Sequence, residues 1–150
     1  MGFESNIGSN GTGFFFLGMS AVVVTRDMIK VSSVLNKNTK EFGKQHILDD
    51  TENCWNSSQG KPQWIQLQLP EIKITKIEFQ FQGGFVPCQI DVLLSTLEKN
   101  WDLQDTFYPL DNNNVQSFKT NFVGGMVRFH FPNSTDFFGR IICYSLRIYS

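Results

Sequence analysis

TDFFGRIICYSLRIYS, residues 135–150, decides how the rest of the chain is read. From Ile142 onward apolar side chains take every second position: Ile142, Tyr144, Leu146 and Ile148, with Cys143, Ser145 and Arg147 between them. A period of two marks a strand with one face in a core and one facing outward. Chain ends fray unless they are held. This strand is therefore expected to sit in a sheet and to close a domain, and the question is what domain it closes.

Working back from it, the same period recurs. WIQLQLP, 64–70, puts Ile65, Leu67 and Leu69 on one face and Gln66 and Gln68 on the other. KITKIEFQFQ, 73–82, carries Ile77, Phe79 and Phe81 in one phase, with Ile72 and Ile74 in the other. A bulge near Thr75–Lys76 reconciles the two phases. Ile90, Val92 and Leu94 make a further set, followed by VQSFKT, 115–120, and GMVRFHF, 125–131, the latter with Val127, Phe129 and Phe131 inward. Turn-rich pieces separate them: NSSQGKP, QGGFVP, DNNN, FVGG and PNST. Only 39–48 reads as a short helix. Many strands, short turns and no crossover helices predict an antiparallel sandwich or barrel rather than a parallel α/β sheet.

Composition agrees. The 150 residues suffice for one domain with a real core. Fifteen phenylalanines favour strands over helices. A net charge of −1 gives no global pull toward nucleic acid. Locally, 26–44 is basic (Arg26, Lys30, Lys37, Lys40 and Lys44 against Asp27 and Glu41), which suits a solvated surface or a phosphate-binding patch. Cys54, Cys88 and Cys143 are odd in number and widely spaced, unlike a disulfide framework or a zinc cluster. They read as reduced thiols of a protein of the nucleus and cytoplasm. The Asn-x-Ser/Thr triplets at Asn10, Asn56 and Asn133 then carry no meaning.

Residues 1–28 are expected to be a flexible or non-native leader ahead of a domain at 29–150, with Met1, Met19 and Met28 all open as the native start. The leader is rich in Gly, Ser and Asn, and its apolar run, 14–24, is too short to span a bilayer. An extra edge strand over 19–25 is the other reading.

Enzymatic motifs are missing: no Gly-x-Ser-x-Gly, no His-Glu-x-x-His and no phosphate loop. His46 and His130 are far apart in sequence, and His130 falls on the outward phase of its strand. The densest polar cluster is ILDDTENCWNS, 47–57. Asp49, Asp50, Glu52 and Asn53 offer hard oxygens suited to Ca²⁺, or else cap backbone amides in a polar turn. Loop aromatics are the second clue. Phe85 stands between paired glycines and a proline, and Phe137 and Phe138 precede the last strand. Such groups serve recognition or plug the ends of a sandwich, and Phe138 is expected to be a plug. Arg140 is expected to pair with a carboxylate such as Asp136 or Asp49.

SSVLN (32–36), LDD…CWNS (48–57), QWIQLQLP (63–70) and DFFGRIICYSLRI (136–148), in that order, resemble the discoidin or coagulation-factor type C domain. The resemblance implies a galactose-binding-like jelly-roll β-sandwich of antiparallel strands, in which the last strand completes the sandwich. It also implies that the turn before Trp55 holds a structural calcium ion among Asp49, Asp50, Glu52 and Asn53. The cysteine pair that flanks extracellular members has no counterpart here. Further blocks, N-x-T-x-x-FGK (38–44), QFQGGF (80–85) and FYPLDNNNVQSF (107–118), resemble one intracellular member in particular. That likeness implies a non-enzymatic protein-binding module with a nuclear receptor as partner, and a co-repressor role that blocks receptor dimerisation or DNA binding. No direct contact with nucleic acid or membrane is implied. A carbohydrate- or lipid-headgroup-binding lectin-like module is the alternative. The partner face is expected at Gln82, Gly83, Gly84 and Phe85, with Lys37, Thr39 and Lys40.

Overall fold

The computed structural model describes residues 19–49, 51–95 and 99–150. Among the described residues, nine strands form two antiparallel sheets that face each other. They are β1 (Ile29–Val31), β2 (Trp55–Asn56), β3 (Gln63–Gln68), β4 (Lys73–Phe81), β5 (Ile90–Ser95), β6 (Asp102–Phe107), β7 (Val115–Val123), β8 (Met126–Phe131) and β9 (Ile142–Tyr149). One sheet has five strands in the order β1-β3-β8-β5-β6, and the other has four in the order β2-β9-β4-β7. Of the sandwich or barrel that the alternating pattern predicts, this is the sandwich, with the jelly-roll form that the resemblance implies.

The inward phases supply the core. Ile65, Leu67, Val127, Phe129, Ile90 and Val92 of one sheet meet Ile77, Phe79, Phe81, Leu146 and Ile148 of the other, all buried. Phenylalanines set the spacing between the layers: Phe79 stacks on Phe81 at 5.0 Å between ring centres and meets Phe129 edge-on at 5.3 Å. Such aromatic pairs add about 0.5–1.5 kcal/mol each beyond their area. Where the edge strands β6 and β7 meet, Phe107 stacks on Phe118 at 4.6 Å and Thr120 donates to Asp105 at 3.1 Å.

β9 lies inside its sheet, between β2 and β4, so it is a central member rather than a trailing end. Its phase differs from the simple alternation in one respect. The β4–β9 register slips so that Gln80 faces Ser145 and Phe81 faces Cys143, leaving Tyr144 as the extra residue. Cys143 is fully buried, and Tyr144 points its hydroxyl to Gln82 Oε1 at 3.2 Å. A bulge re-aims one side chain, and a single-sequence period does not register it. The register shift between Ile74 and Lys76 falls where the two hydrophobic phases of 73–82 collide, and Ile74 is thereby buried.

The predicted helix over 39–48 is two pieces. A short α1 (Thr39–Phe42) is capped by the Asn38 side chain, which accepts from the Glu41 amide, and a 3-10 turn follows at Lys44–Ile47. Gly43 separates them. Its extended backbone (φ −77, ψ 173) ends the helix, and a Cβ there would lie 2.3 Å from the Thr39 carbonyl oxygen, so this close approach needs glycine. Residues 19–28, grouped above with the leader, run beside the final strand. Ser20 and Ser150 exchange backbone hydrogen bonds, and the Val22 amide donates to Ile148 O at 2.8 Å. Residues 1–18 lie outside the described residues. Among the described residues, no helix is long and apolar enough to cross a membrane.

Candidate functional site

Four loops gather at one end of the sandwich: β2–β3, β4–β5, β6–β7 and β8–β9. The β4–β5 loop opens with a tight turn in which the Phe85 amide donates to Gln82 O at 3.0 Å. Gly84, its third residue, sits at φ +90, a backbone state that costs glycine little. The turn is held by its neighbour. The Gly83 amide donates to Asn113 Oδ1 at 2.6 Å and the Gly84 amide to Asp111 Oδ1 at 2.8 Å. QGGF and LDNNN, distant in sequence, are therefore one hydrogen-bonded unit. Carboxylate and amide oxygens on backbone N–H groups fix its shape, the Asp111 contact being a charge-assisted bond.

The β8–β9 loop docks on the same unit. Thr135 exchanges two bonds with Val86, its amide donating to Val86 O and its hydroxyl accepting from the Val86 amide. The Gly60 amide donates to Phe138 O at 2.7 Å, tying in the β2–β3 loop. Gly139 has φ +83, and a Cβ on it would lie 2.6 Å from Gly60 O, so this crossing admits only glycine. Gln63, 4% exposed, anchors the β2–β3 loop from below. Its Oε1 accepts from the Ser32 and Ser33 hydroxyls, and its Nε2 donates to Ser58 O and Gly60 O.

On this scaffold Phe137 is 87% exposed and Phe138 57%, with their rings edge to face at 5.2 Å. Tyr108 and Leu110 of the β6–β7 loop are also largely exposed. Phe138 is thus no plug, and the sequence reading of it is corrected. Phe138 directly precedes the close crossing of Gly139 over Gly60, a contact that no pattern in the sequence displays. Phe85, by contrast, is half-buried beneath Arg140, whose guanidinium carbon stands 4.9 Å above the ring. Among the described residues Arg140 pairs with no carboxylate side chain through its guanidinium. One Nη donates to Asn56 Oδ1 at 3.0 Å, its Nε is buried without a partner, and Asp136 instead accepts from the Arg140 backbone amide. The negative face of the Phe85 ring takes the place of an anion beneath the guanidinium.

The expected partner residues separate into two places. Gln82, Gly83, Gly84 and Phe85 belong to the loop end just described. Thr39 and Lys40 lie on α1 and Lys37 at the end of the 3-10 turn before it, and among the described residues no hydrogen bond, ion pair or ring contact joins them to the glycine turn. Of the candidate metal residues, Asp50 lies outside the described residues. Asp49 is engaged by His46, with Nδ1 and Oδ2 3.1 Å apart, while Glu52 and Asn53 are exposed. Among the described residues, no three His, Cys, Asp or Glu side chains converge to hold a metal.

The exposed aromatics thus stand on loops that hydrogen bonds interlock at one end of the β-sandwich. Solved structures agree on the fold. A family 32 carbohydrate-binding module of a Clostridium perfringens enzyme, in complex with GalNAc-β-1,3-galactose, superposes with a TM-score of 0.72 at 16% identity, covering 87% of this chain and 100% of that one. The family 32 module of C. perfringens NanJ, in complex with galactose, gives 0.68 at 12% identity over 87% of this chain and 100% of that one. No protein-family model matches the sequence. Curated relatives are much nearer. The human nuclear receptor 2C2-associated protein is 40% identical over 136 residues, covering 85% of this chain and 94% of the human protein, and the zebrafish (Danio rerio) protein is 44% identical over 123 residues, covering 79% and 87%. The chain belongs to the family of nuclear receptor 2C2-associated proteins.

Proposed function

We propose that this protein is a non-enzymatic module that binds a nuclear receptor through its aromatic loop end, acts as a co-repressor by blocking receptor dimerisation or DNA binding, and works in the nucleus and cytoplasm. Family membership supports the class of partner. The observation that carries the face is the exposed Phe137–Phe138 pair on a loop end fixed by the Gly83 and Gly84 amide bonds to Asn113 and Asp111 and by the Gly139–Gly60 crossing. Large aromatics held rigid lose little entropy on binding and dominate interface energies, at about 2 kcal/mol or more each. Phe85 serves as the floor under Arg140, and Gln82, Gly83 and Gly84 shape the rim.

The test is capture of nuclear receptor 2C2 by purified protein, comparing the parent with Phe137→Ser/Phe138→Ser. Loss of at least about 30-fold in affinity, with an unchanged melting curve, supports the face. Undiminished capture refutes it. A receptor that still dimerises and binds DNA when saturated with the protein refutes the blocking mechanism alone. The sugar-binding alternative is tested by titrating galactose and N-acetylgalactosamine, and saturable binding at the same aromatics would replace the receptor reading.

Calcium at the acidic turn stays a proposal resting on the resemblance and on the run Asp49, Asp50, Glu52, Asn53. A cation bound only by the folded state raises the melting temperature by mass action. Equal midpoints in millimolar calcium and in chelator refute it.

A further inference from the structure

The four loops of the aromatic end, 57–62, 82–89, 108–114 and 132–141, hold four charged residues: Lys61, Asp111, Asp136 and Arg140. Both carboxylates are engaged by the backbone. Asp111 accepts from the Gly84 amide at 2.8 Å, and Asp136 accepts from the Arg140 amide at 3.0 Å. Neither cation has a carboxylate partner among the described residues. Lys61 is exposed, and its stem lies beside Gly139, where an added Cβ would meet Lys61 Cγ at 3.0 Å. Arg140 is held more firmly. One Nη donates at 3.0 Å to Asn56, a residue 5% exposed, and the guanidinium stands over the Phe85 ring. Its Nε is buried without a partner, which in a folded protein calls for a reason. Its other Nη makes no bond to the described residues and is not among the buried atoms, so it faces solvent. An aromatic ring bears a quadrupole but no net charge, so Phe85 positions this cation without neutralising it.

We propose that Arg140 recognises a carboxylate side chain of the protein partner through the open edge of its guanidinium, with Phe137 and Phe138 packing on an apolar neighbour of that residue and Lys61 steering its approach. This rests on the receptor reading above and names the chemistry that the face selects. The planar fork of a guanidinium matches a carboxylate, and Asn56 and Phe85 fix its orientation in advance, so little freedom is lost on pairing. The buried Nε and the ring keep water from one side of the cation, which strengthens an ion pair on the other. Opposite charge also speeds encounter. A nucleic-acid backbone would instead need a row of cations, and this end offers two, with two carboxylates among the same loops.

The direct probe is N-acetyl-Leu-Glu-Leu-amide, added to the whole protein while the Arg140 Nε–H and the Asn56 side-chain amide are followed by NMR. A saturable shift is expected, weakening as salt rises from about 0.05 M to about 0.5 M and lost when glutamine replaces the glutamate of the probe. Arg140→Lys keeps the charge without the fork and should weaken the probe at least about fivefold, read at Asn56. Arg140→Gln should weaken capture of nuclear receptor 2C2 at least about tenfold, with a melting curve to confirm that the variant folds. Lys61→Glu leaves the contacts of Arg140 with Asn56 and Phe85 in place and should weaken both probe and capture about threefold, so it decides the matter if Arg140→Gln does not fold. The inference is overturned by the absence of a saturable shift, by equal shifts from the glutamate and glutamine probes, or by capture indifferent to Arg140→Gln and Lys61→Glu. Capture that needs Phe137 and Phe138 but not Arg140 overturns this inference and leaves the aromatic face standing. A carboxylate-specific shift at Arg140, with capture indifferent to Phe137→Ser/Phe138→Ser, supports the carboxylate site and removes the aromatic face.

Discussion

Gly139→Ala is the sharpest probe of how the loop end is built. Two independent costs meet there. The backbone is left-handed, at φ +83, and an L side chain in that region costs about 1–2 kcal/mol. The added Cβ would also lie 2.6 Å from Gly60 O and 2.9 Å from Gly60 C, both backbone atoms that cannot swing aside like a side chain. Relieving that overlap must separate the strand-linking loops and stretch the 2.7 Å bond from the Gly60 amide to Phe138 O. Overpacking of this kind costs about 1–3 kcal/mol. The sum is about 2–5 kcal/mol, a large share of the roughly 5–15 kcal/mol that holds a domain of ordinary stability. Gly84→Ala is the internal control. Its φ is +90, but no atom lies within 4 Å of the added Cβ, so only the conformational cost applies, about 1–2 kcal/mol. Urea unfolding of the parent and both variants, with the slope checked for constancy, measures the difference. The expected order is parent, Gly84→Ala, then Gly139→Ala, with the last two at least about 1 kcal/mol apart. Equal losses in the two variants would show that the crossing of residues 60 and 139 is not tight.

Gln63→Leu keeps the volume but leaves two hydroxyls and two carbonyls without their amide, so a loss of about 3 kcal/mol in urea unfolding is expected; less than about 1 kcal/mol would mean that water replaces the side chain. The thiols should react in a fixed order: Cys88 is exposed and should be labelled at once, Cys54 is partly buried with its pKa raised by burial, and Cys143 is fully buried with its pKa driven far upward by the same cause. Rapid labelling of Cys143 in the native protein would contradict its place in the core. His130 has its pKa lowered, chiefly by burial and also by Arg128, against the opposing pull of Asp91. The unfolded chain therefore takes up this proton at higher pH than the folded one. The contribution of His130 is present above its unfolded pKa of about 6.5 and is lost as pH falls toward the folded value, so His130→Gln should flatten stability between about pH 5 and 7. A slope unchanged by that substitution would refute it.

The sequence by itself determined the sandwich. Period-two runs at 64–70, 73–82, 125–131 and 142–148 are local statements about which side chains share a face, and a core needs every such face covered, so the inward sets Ile65/Leu67/Leu69, Ile77/Phe79/Phe81 and Val127/Phe129/Phe131 were legible before any strand was paired. The collision of phases near Thr75 announced a bulge for the same local reason. β6 was not legible, because DLQDTF at an edge buries only Phe107 and leaves no alternation to read. The split of 39–48 into α1 and a 3-10 turn followed from the close approach at Gly43 rather than from propensity. At the loop end the sequence supplied the residues but not their roles. Phe85, Phe137 and Phe138 look alike as loop aromatics. Only the tertiary structure sets Phe85 under Arg140 and turns Phe137 and Phe138 outward, because that choice rests on Asp111 and Asn113 gripping the Gly83–Gly84 turn and on Gly139 passing Gly60. Those contacts join residues about 30 and 80 positions apart, and a contact of that range has no period to betray it.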